Sequence, residues 1–293
     1  STSGSCKCKI DEPSNCYLVH FNHKIVVIMT SMKDKVILIT GASAGVGAAC
    51  AEHFASLGAK LSITGRNEER LNKIKVLCIE ACNEESNILA TKGDVTITED
   101  LERIVTYTLQ KFGRLDVLVN NAATLKTGGL QDTTMELYDS MMNTNMRSAF
   151  ELSRLVVPYL KKTKGAIVNV SSVAGPRPFP KIMAYAVSKA AMDHFTRCLA
   201  QELAPDGVRV NSVNPGTVDT EMYVTNGVMT AEQFAEYKER QCGVHPLGRI
   251  ASGKDVAQAV AFLASSESSF VTGTNMLVDG GRAGFTPHLV TKE

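Results

Sequence analysis

The sequence predicts an α/β protein: a doubly wound parallel sheet of seven strands, with helices on both faces, in a single domain. Three observations carry this. From Lys33 onward, short β-branched runs alternate with longer amphipathic segments, the pattern of βαβ units and a parallel sheet. The runs VILIT at 36–40 and LDVLVN at 115–120 are almost continuously apolar, as strands covered on both faces should be. The first of them ends in a glycine-rich turn that opens straight into a helical pattern.

Taken in order, residues 1–32 stand apart. They hold Cys6, Cys8 and Cys16, show no helical period, and contain no Arg. His20, Asn22, His23 and Lys24 interrupt the apolar stretch around Tyr17–Met29, which makes it a poor signal peptide and, without Arg, a poor mitochondrial presequence. The expectation is a flexible or non-native leader, with a weak targeting tail as the competing reading. Strands are expected at Val36–Thr40, Leu61–Thr64, Ile88–Gly93, Leu115–Asn120, Ala166–Ser171, Val208–Val213 and Asn275–Val278. Helices are expected at Ala44–Leu57, Glu68–Cys82, Thr98–Phe112, Thr134–Leu160, Ala184–Leu203 and Lys254–Ser265. The catalytic domain then covers about 33–282, with a short polar tail at 283–293.

Composition excludes several classes. A net charge of +1 over 293 residues argues against a nucleic-acid-binding surface. No apolar run is long enough to span a bilayer. The eight cysteines are scattered, and Cys6 and Cys8 have no second pair at zinc-ligand spacing, so no metal site is expected. Disulfide frameworks belong mainly to small secreted domains, so reduced thiols and a cytoplasmic location are expected.

The turn Thr40-Gly41-Ala42-Ser43-Ala44-Gly45-Val46-Gly47 lies between strand and helix. Gly41 permits the tight turn, Gly45 lets backbone approach a diphosphate, and Gly47 lets the helix pack closely on the sheet. Gly41, Ser43, Ala44, Gly45, Val46 and Gly47 thus form the expected cradle for a dinucleotide, set at a helix N-terminus. After the second strand, an NAD site usually places a carboxylate. This chain has Gly65-Arg66 there, a missing anion followed by a cation, which suits a ribose 2′-phosphate. NADP(H) is therefore favoured over NAD(H); the competing reading is a solvated Arg66 at a helix start. Asp94 and Val95 are placed to hold the adenine edge. Asn121 and Ala122, in the run NNAA, lie where the cofactor crosses the carboxyl edge of the sheet.

Tyr185 and Lys189 stand at i and i+4, on one helix face. A free phenol titrates too high for proton exchange at neutral pH, and a nearby ammonium lowers its pKa. Ser172, at the end of the fifth strand, can hydrogen-bond the same substrate oxygen. Asn145 interrupts a long helical pattern where Asn is a poor choice, and can hold a water that relays protons to Lys189.

These motifs, TGASAGVG, NNAA, Asn145, Ser172, YAVSK, Asn214-Pro215-Gly216 and a terminal VDGG, resemble the classical short-chain dehydrogenase/reductase family, in family order over nearly all of 33–282. The resemblance implies a Rossmann-type fold, a carbonyl–alcohol couple and a Ser–Tyr–Lys–Asn tetrad. It also implies that Lys189 contacts the nicotinamide ribose, that Pro215 and Gly216 belong to the cofactor site, and that Val218 and Thr220 flank the nicotinamide amide. Ala123 departs from the motif, which often has Gly there. The subgroup resembles 3-oxoacyl-carrier-protein reductases and related alcohol dehydrogenases. Family members are usually homotetramers or homodimers joined through the helices equivalent to Thr134–Leu160 and Ala184–Leu203.

The expected function is hydride transfer between NADP(H) and a small-molecule carbonyl or secondary alcohol, with no nucleic-acid or membrane partner. An NAD(H)-dependent alcohol dehydrogenase and a non-catalytic nucleotide-binding scaffold are the alternatives; an intact tetrad argues against the scaffold. An epimerase or dehydratase would need a larger substrate domain than the space before Lys254 allows. A lid at about 219–248, holding Met222, Tyr223, Val228, Met229, Phe234 and Tyr237, is expected to set specificity, unless those residues merely pack as a helical face.

Overall fold

The computed structural model describes residues 32–284, together with the backbone strands Tyr17–Phe21 and Lys24–Ile28. Seven strands, β1 (Val36–Ile39), β2 (Lys60–Gly65), β3 (Ile88–Lys92), β4 (Val117–Asn120), β5 (Ala166–Val170), β6 (Arg209–Pro215) and β7 (Asn275–Val278), form one sheet. All neighbours run parallel, in the order β3-β2-β1-β4-β5-β6-β7. The order reverses between β1 and β4, which opens a crevice at the carboxyl ends of those strands.

β1 shows why both faces need helices. Ile37 and Ile39 point into one core with Phe54, Leu71 and Val260, while Val36 and Leu38 point into another with Leu101, Ile104, Leu152 and Val156. The first core is closed by α1 (Gly45–Ser56), α2 (Glu68–Cys82) and α9 (Gly253–Ala264). The second is closed by α3 (Thr98–Phe112), α5 (Ser148–Thr163) and α6 (Met183–Leu203). Each fully buried Ile or Leu contributes roughly 1.5–3 kcal/mol, so neither face could be left to solvent.

The helix expected over Thr134–Leu160 is divided. α4 (Met135–Met142) is followed by a π turn at Asn143–Arg147, and then by α5. The extra residue in that turn carries Asn145 inward, where its amide is fully engaged. Such bulges are common at functional positions. The lid holds two further helices, α7 (Met222–Thr225) and α8 (Ala231–Cys242), the second fixed by a Thr230–Gln233 capping box.

Met32, assigned from sequence to the leader, is 2% exposed and donates its N–H to the Leu57 carbonyl, so the packed chain begins one residue earlier than expected. Within the leader, Tyr17–Phe21 and Lys24–Ile28 pair antiparallel with each other, with Tyr17 opposite Ile28, and not with the main sheet. The remaining leader residues, with Cys6, Cys8 and Cys16, and the tail from residue 285 lie outside the described residues. The described cysteines, Cys50, Cys78, Cys82, Cys198 and Cys242, are free thiols.

Candidate active site

The glycine turn after β1 is built by exclusion of side chains. Gly41 has φ +65°, and a Cβ there would lie 2.8 Å from Ala122 Cα. A Cβ on Gly47 would lie 2.3 Å from the Gly41 carbonyl oxygen, so only glycine lets α1 approach the strand end. α1 has no side chain capping its first N–H groups and no acid in its first turn. Those N–H groups and the positive dipole end are therefore available to an anion. This arrangement fits a dinucleotide diphosphate.

Asn121 braces this turn. Its amide donates to the Thr40 carbonyl at 2.8 Å and to the Gly41 carbonyl at 3.2 Å. The Thr40 hydroxyl accepts from the N–H groups of Asn121 and Ala122, each at 3.0 Å. The Asn121 side chain, expected from sequence to meet the cofactor, is thus spent on holding the loop.

At the far end of the crevice, β2 ends at Gly65. A Cβ at Gly65 would lie 2.9 Å from Ser43 Oγ, so the bare residue makes room for the Ser43 side chain. Arg66 is 72% exposed and its guanidinium lies 3.9 Å from Asp94 Oδ2, too long for a hydrogen bond. Asp94 turns its Oδ1 to the N–H and hydroxyl of Thr96, at 2.9 and 2.7 Å. Arg70 pairs with Glu221 of the lid at 3.0 Å, across the crevice mouth.

One cavity of about 750 Å³ runs from this end to α6. Its walls include Gly41, Ser43, Ala44, Gly45, Val46, Arg66, Asp94, Val95, Asn121, Ala122, Ser172, Tyr185, Lys189, Pro215, Gly216, Val218 and Thr220. Gly47 and Asn145 stand behind the wall. Asn145 accepts from the Thr124 N–H at 2.7 Å and donates to the Thr124 carbonyl and the Ser188 hydroxyl, both at 3.0 Å. Through these bonds Asn145 locks the segment after β4 to α6.

Lys189 is buried, and its Nζ donates to the Val170 carbonyl at 2.8 Å. Burial pushes its pKa down to about 8, against the upward pull of Asp193. Tyr185 is half-buried. Burial raises its phenol above the ordinary value, and the hydrogen bond with the Ser172 hydroxyl lowers it. Sequence reasoning named the Lys189 charge as the lowering influence. In the structure Lys189 Nζ lies over the Tyr185 ring, 5.7 Å from its centroid, and the lowering influence on the phenol comes from Ser172. Ser172 Oγ also accepts from the Ala174 N–H at 3.1 Å.

Sequence reasoning missed Asp193. It lies one turn beyond Lys189, and its two carboxylate oxygens accept from Asn214 Nδ2, each at 2.9 Å. The same amide donates to the Ser172 carbonyl at 2.9 Å. A Cβ on Gly175 would lie 2.2 Å from Asp193 Oδ2. One carboxylate thus ties α6, the end of β6 and the Ser172 loop together. The available signal was the buried stripe Tyr185–Lys189–Asp193 at i, i+4 and i+8. His245 was missed too. Its Nε2 accepts from the Thr217 N–H at 3.2 Å and its Nδ1 bonds the Gln241 carbonyl at 2.6 Å, which assigns the proton to Nδ1 and fixes the loop carrying Val218 and Thr220.

In the lid, both sequence readings hold in part. Met222, Tyr223, Val228, Met229 and Tyr237 line the cavity. Phe234 is 7% exposed and packs behind them, its ring 5.2 Å from Tyr223.

Residues 41–283 match the family profile described as Enoyl-(Acyl carrier protein) reductase. The chain is 38% identical over 251 residues to the 3-oxoacyl-[acyl-carrier-protein] reductase FabG of Thermotoga maritima, covering 85% of this chain and 98% of that one. It is 40% identical over 254 residues to cyclopentanol dehydrogenase of Comamonas sp., covering 86% and 98%. In fold it is similar to a crystal structure of a short-chain dehydrogenase/reductase of unknown function from Caenorhabditis elegans, solved with cofactor. There the TM-score is 0.84 at 34% identity, covering 87% of this chain and 97% of that one.

Proposed function

Because the chain belongs to the short-chain dehydrogenase/reductase family and is an oxidoreductase acting at the alcohol–carbonyl level, we propose that it is an NADP(H)-preferring enzyme in which Tyr185 moves the proton and Ser172 and Lys189 assist it. The observation that carries this is the meeting of Ser172, Tyr185 and Lys189 in one cavity with the uncapped N-terminus of α1. A bound nicotinamide dinucleotide supplies or accepts the hydride. Tyr185 gives its phenolic proton to a carbonyl oxygen in reduction and takes it back in oxidation. Ser172 donates a hydrogen bond to the same oxygen. Lys189, held at the Val170 carbonyl, keeps a positive charge beside the phenol while its proton lasts, which favours the phenolate. Such proton transfer contributes roughly 10²–10⁴-fold.

The cofactor preference rests on Gly65 and Arg66. No carboxylate stands at position 65, and Arg66 is exposed and only loosely tied to Asp94. An exposed pair of that kind is worth about 0–1 kcal/mol, so the guanidinium is easily turned to a 2′-phosphate. The NAD(H) reading draws on the same contact, since Asp94 partly neutralises Arg66. A panel of ketones, secondary alcohols and 3-oxoacyl thioesters, followed by nicotinamide absorbance with each cofactor, tests both. Turnover only with NADH removes the preference, and turnover of none removes the activity.

We further propose a homotetramer or homodimer joined through α5 and α6, which expose Phe150, Met183 and Val187. Light scattering that finds only monomer at micromolar concentration would refute it.

A further inference from the structure

We propose that Arg282 forms an anion subsite at the substrate end of the cavity, so that the preferred substrate carries a carboxylate separated from its reacting carbonyl or alcohol by an apolar body. The inference rests on the oxidoreductase reading above and names its substrate class.

Charge is distributed unevenly along the cavity wall. Its lining carboxylates are Asp94 and Glu221, and both stand at the adenosine end against Arg66 and Arg70. Beyond Tyr185 the lining holds the cations Lys181 and Arg282 and no acid. Arg282 is presented by a rigid turn. Asp279 accepts from the N–H groups of Gly281 at 3.0 Å and Ala283 at 2.6 Å. Arg177 donates to the carbonyls of Arg282 and Ala283. Asp279 and Arg177 therefore spend their hydrogen bonds on main chain, although both charges still act on Arg282, Asp279 attracting it and Arg177 repelling it. The Arg282 guanidinium rests on Phe179, 5.4 Å from the ring centroid, and no ion pair to it is found among the described residues. A stacked, planar fork whose side-chain donors meet no acceptor among the described residues matches a carboxylate well.

Between Tyr185 and Arg282 the wall is apolar and aromatic, with Met222, Tyr223 and Tyr237; the last two rings are 5.3 Å apart. A substrate filling this space meets a proton donor at one end, a greasy slot in the middle and a cation at the other end. The fit describes a straight or ring-bearing oxo acid, or the matching hydroxy acid.

The test uses the full chain and a series of straight-chain methyl-ketone acids of increasing length, each beside its own methyl ester. At one favoured length the wild type should turn over the acid roughly 10- to 100-fold more efficiently than the ester, the range of a charge-assisted hydrogen bond. Arg282→Gln should collapse that ratio towards one. Arg282→Lys, which keeps the charge, should retain part of it and separates loss of anion binding from loss of fold. Acids no better than esters at every length, or a ratio untouched by Arg282→Gln, would overturn the subsite. Turnover of esters without acid preference leaves the oxidoreductase reading intact. Calorimetric titration of the same acids and esters repeats the comparison without turnover. Silence in the assay then counts against the ketone chemistry, and equal binding of acid and ester counts against Arg282.

Discussion

At the end of the cavity proposed for the cofactor, the surface on offer is backbone. Gly41 and Gly47 remove side chains, the first turn of α1 offers uncapped N–H groups, and Asn121 spends its amide on the carbonyls of residues 40 and 41. At the end proposed for the substrate, the wall is made of side chains: Met222, Tyr223, Tyr237 and Arg282, carried on short helices and turns. The first design is tied to one ligand shape, because a main-chain cradle changes only when the fold changes. The second can be refitted residue by residue while the sheet stays as it is. Tyr185, Lys189 and Ser172 stand at the boundary, on α6 and the end of β5, where neither region can move them.

Substitutions can break this contrast at graded cost. Tyr185→Phe keeps the ring and removes the proton donor, so catalysis should fall by at least the ~10²–10⁴-fold typical of general acid catalysis, with cofactor binding retained. Near-normal turnover would show that the boundary group is elsewhere. Arg66 is the charged side chain expected to set the cofactor preference at the backbone-built end. Arg66→Ala should lower the NADPH-to-NADH ratio of kcat/KM by about 10- to 100-fold, the worth of a charge-assisted hydrogen bond. An unmoved ratio would leave Arg66 a solvated residue at the start of α2.

Asp193→Asn probes the support behind the boundary. The Lys189 pKa of about 8 is the balance between burial, which lowers it, and Asp193, which raises it. Removing the negative charge lowers it further, so Lys189 loses its proton at lower pH. The alkaline fall in kcat should therefore begin at lower pH than in the wild type, with KM for cofactor little changed. The other groups acting on Asp193 are Arg197 on α6, Ser171 and Asn214, and none of these is altered. A pH profile of unchanged position would mean that Asp193 serves packing alone.

Legibility in the sequence followed the range of the interactions. α2 and α3 were read to the residue, because their ends are local events: Asn67 caps α2, and Gly113 takes the left-handed conformation after Phe112. The central strands were found because burial on both faces leaves an apolar run, whereas the edge strands β3 and β7 are only partly buried. The cradle glycines and the Tyr185–Lys189 pair are likewise short-range patterns. The π turn was not legible, since it depends on Asn145 meeting Thr124 and Ser188, far away in the chain. Asp193 escaped for the same reason, as its partners come from Asn214 and the turn at Gly175. The Tyr185 pKa was misjudged because sequence spacing gives the neighbour but not the depth of burial.

The close approach of Gly65 to Ser43 also constrains how this lineage could change cofactor. An aspartate at 65 would bring a carboxylate to the ribose, but its Cβ would stand 2.9 Å from Ser43 Oγ and 3.0 Å from Ser43 Cβ. The acid cannot arrive without displacing the Ser43 side chain. Ser43→Gly clears the space and leaves Arg66 unaltered. On the proposed NADP(H) preference, the step at 65 takes its full effect only once the side chain at 43 is removed. A cycle of the two substitutions, read as the cofactor ratio, should show strong non-additivity, and simple additivity would mean that the two positions are free to drift independently.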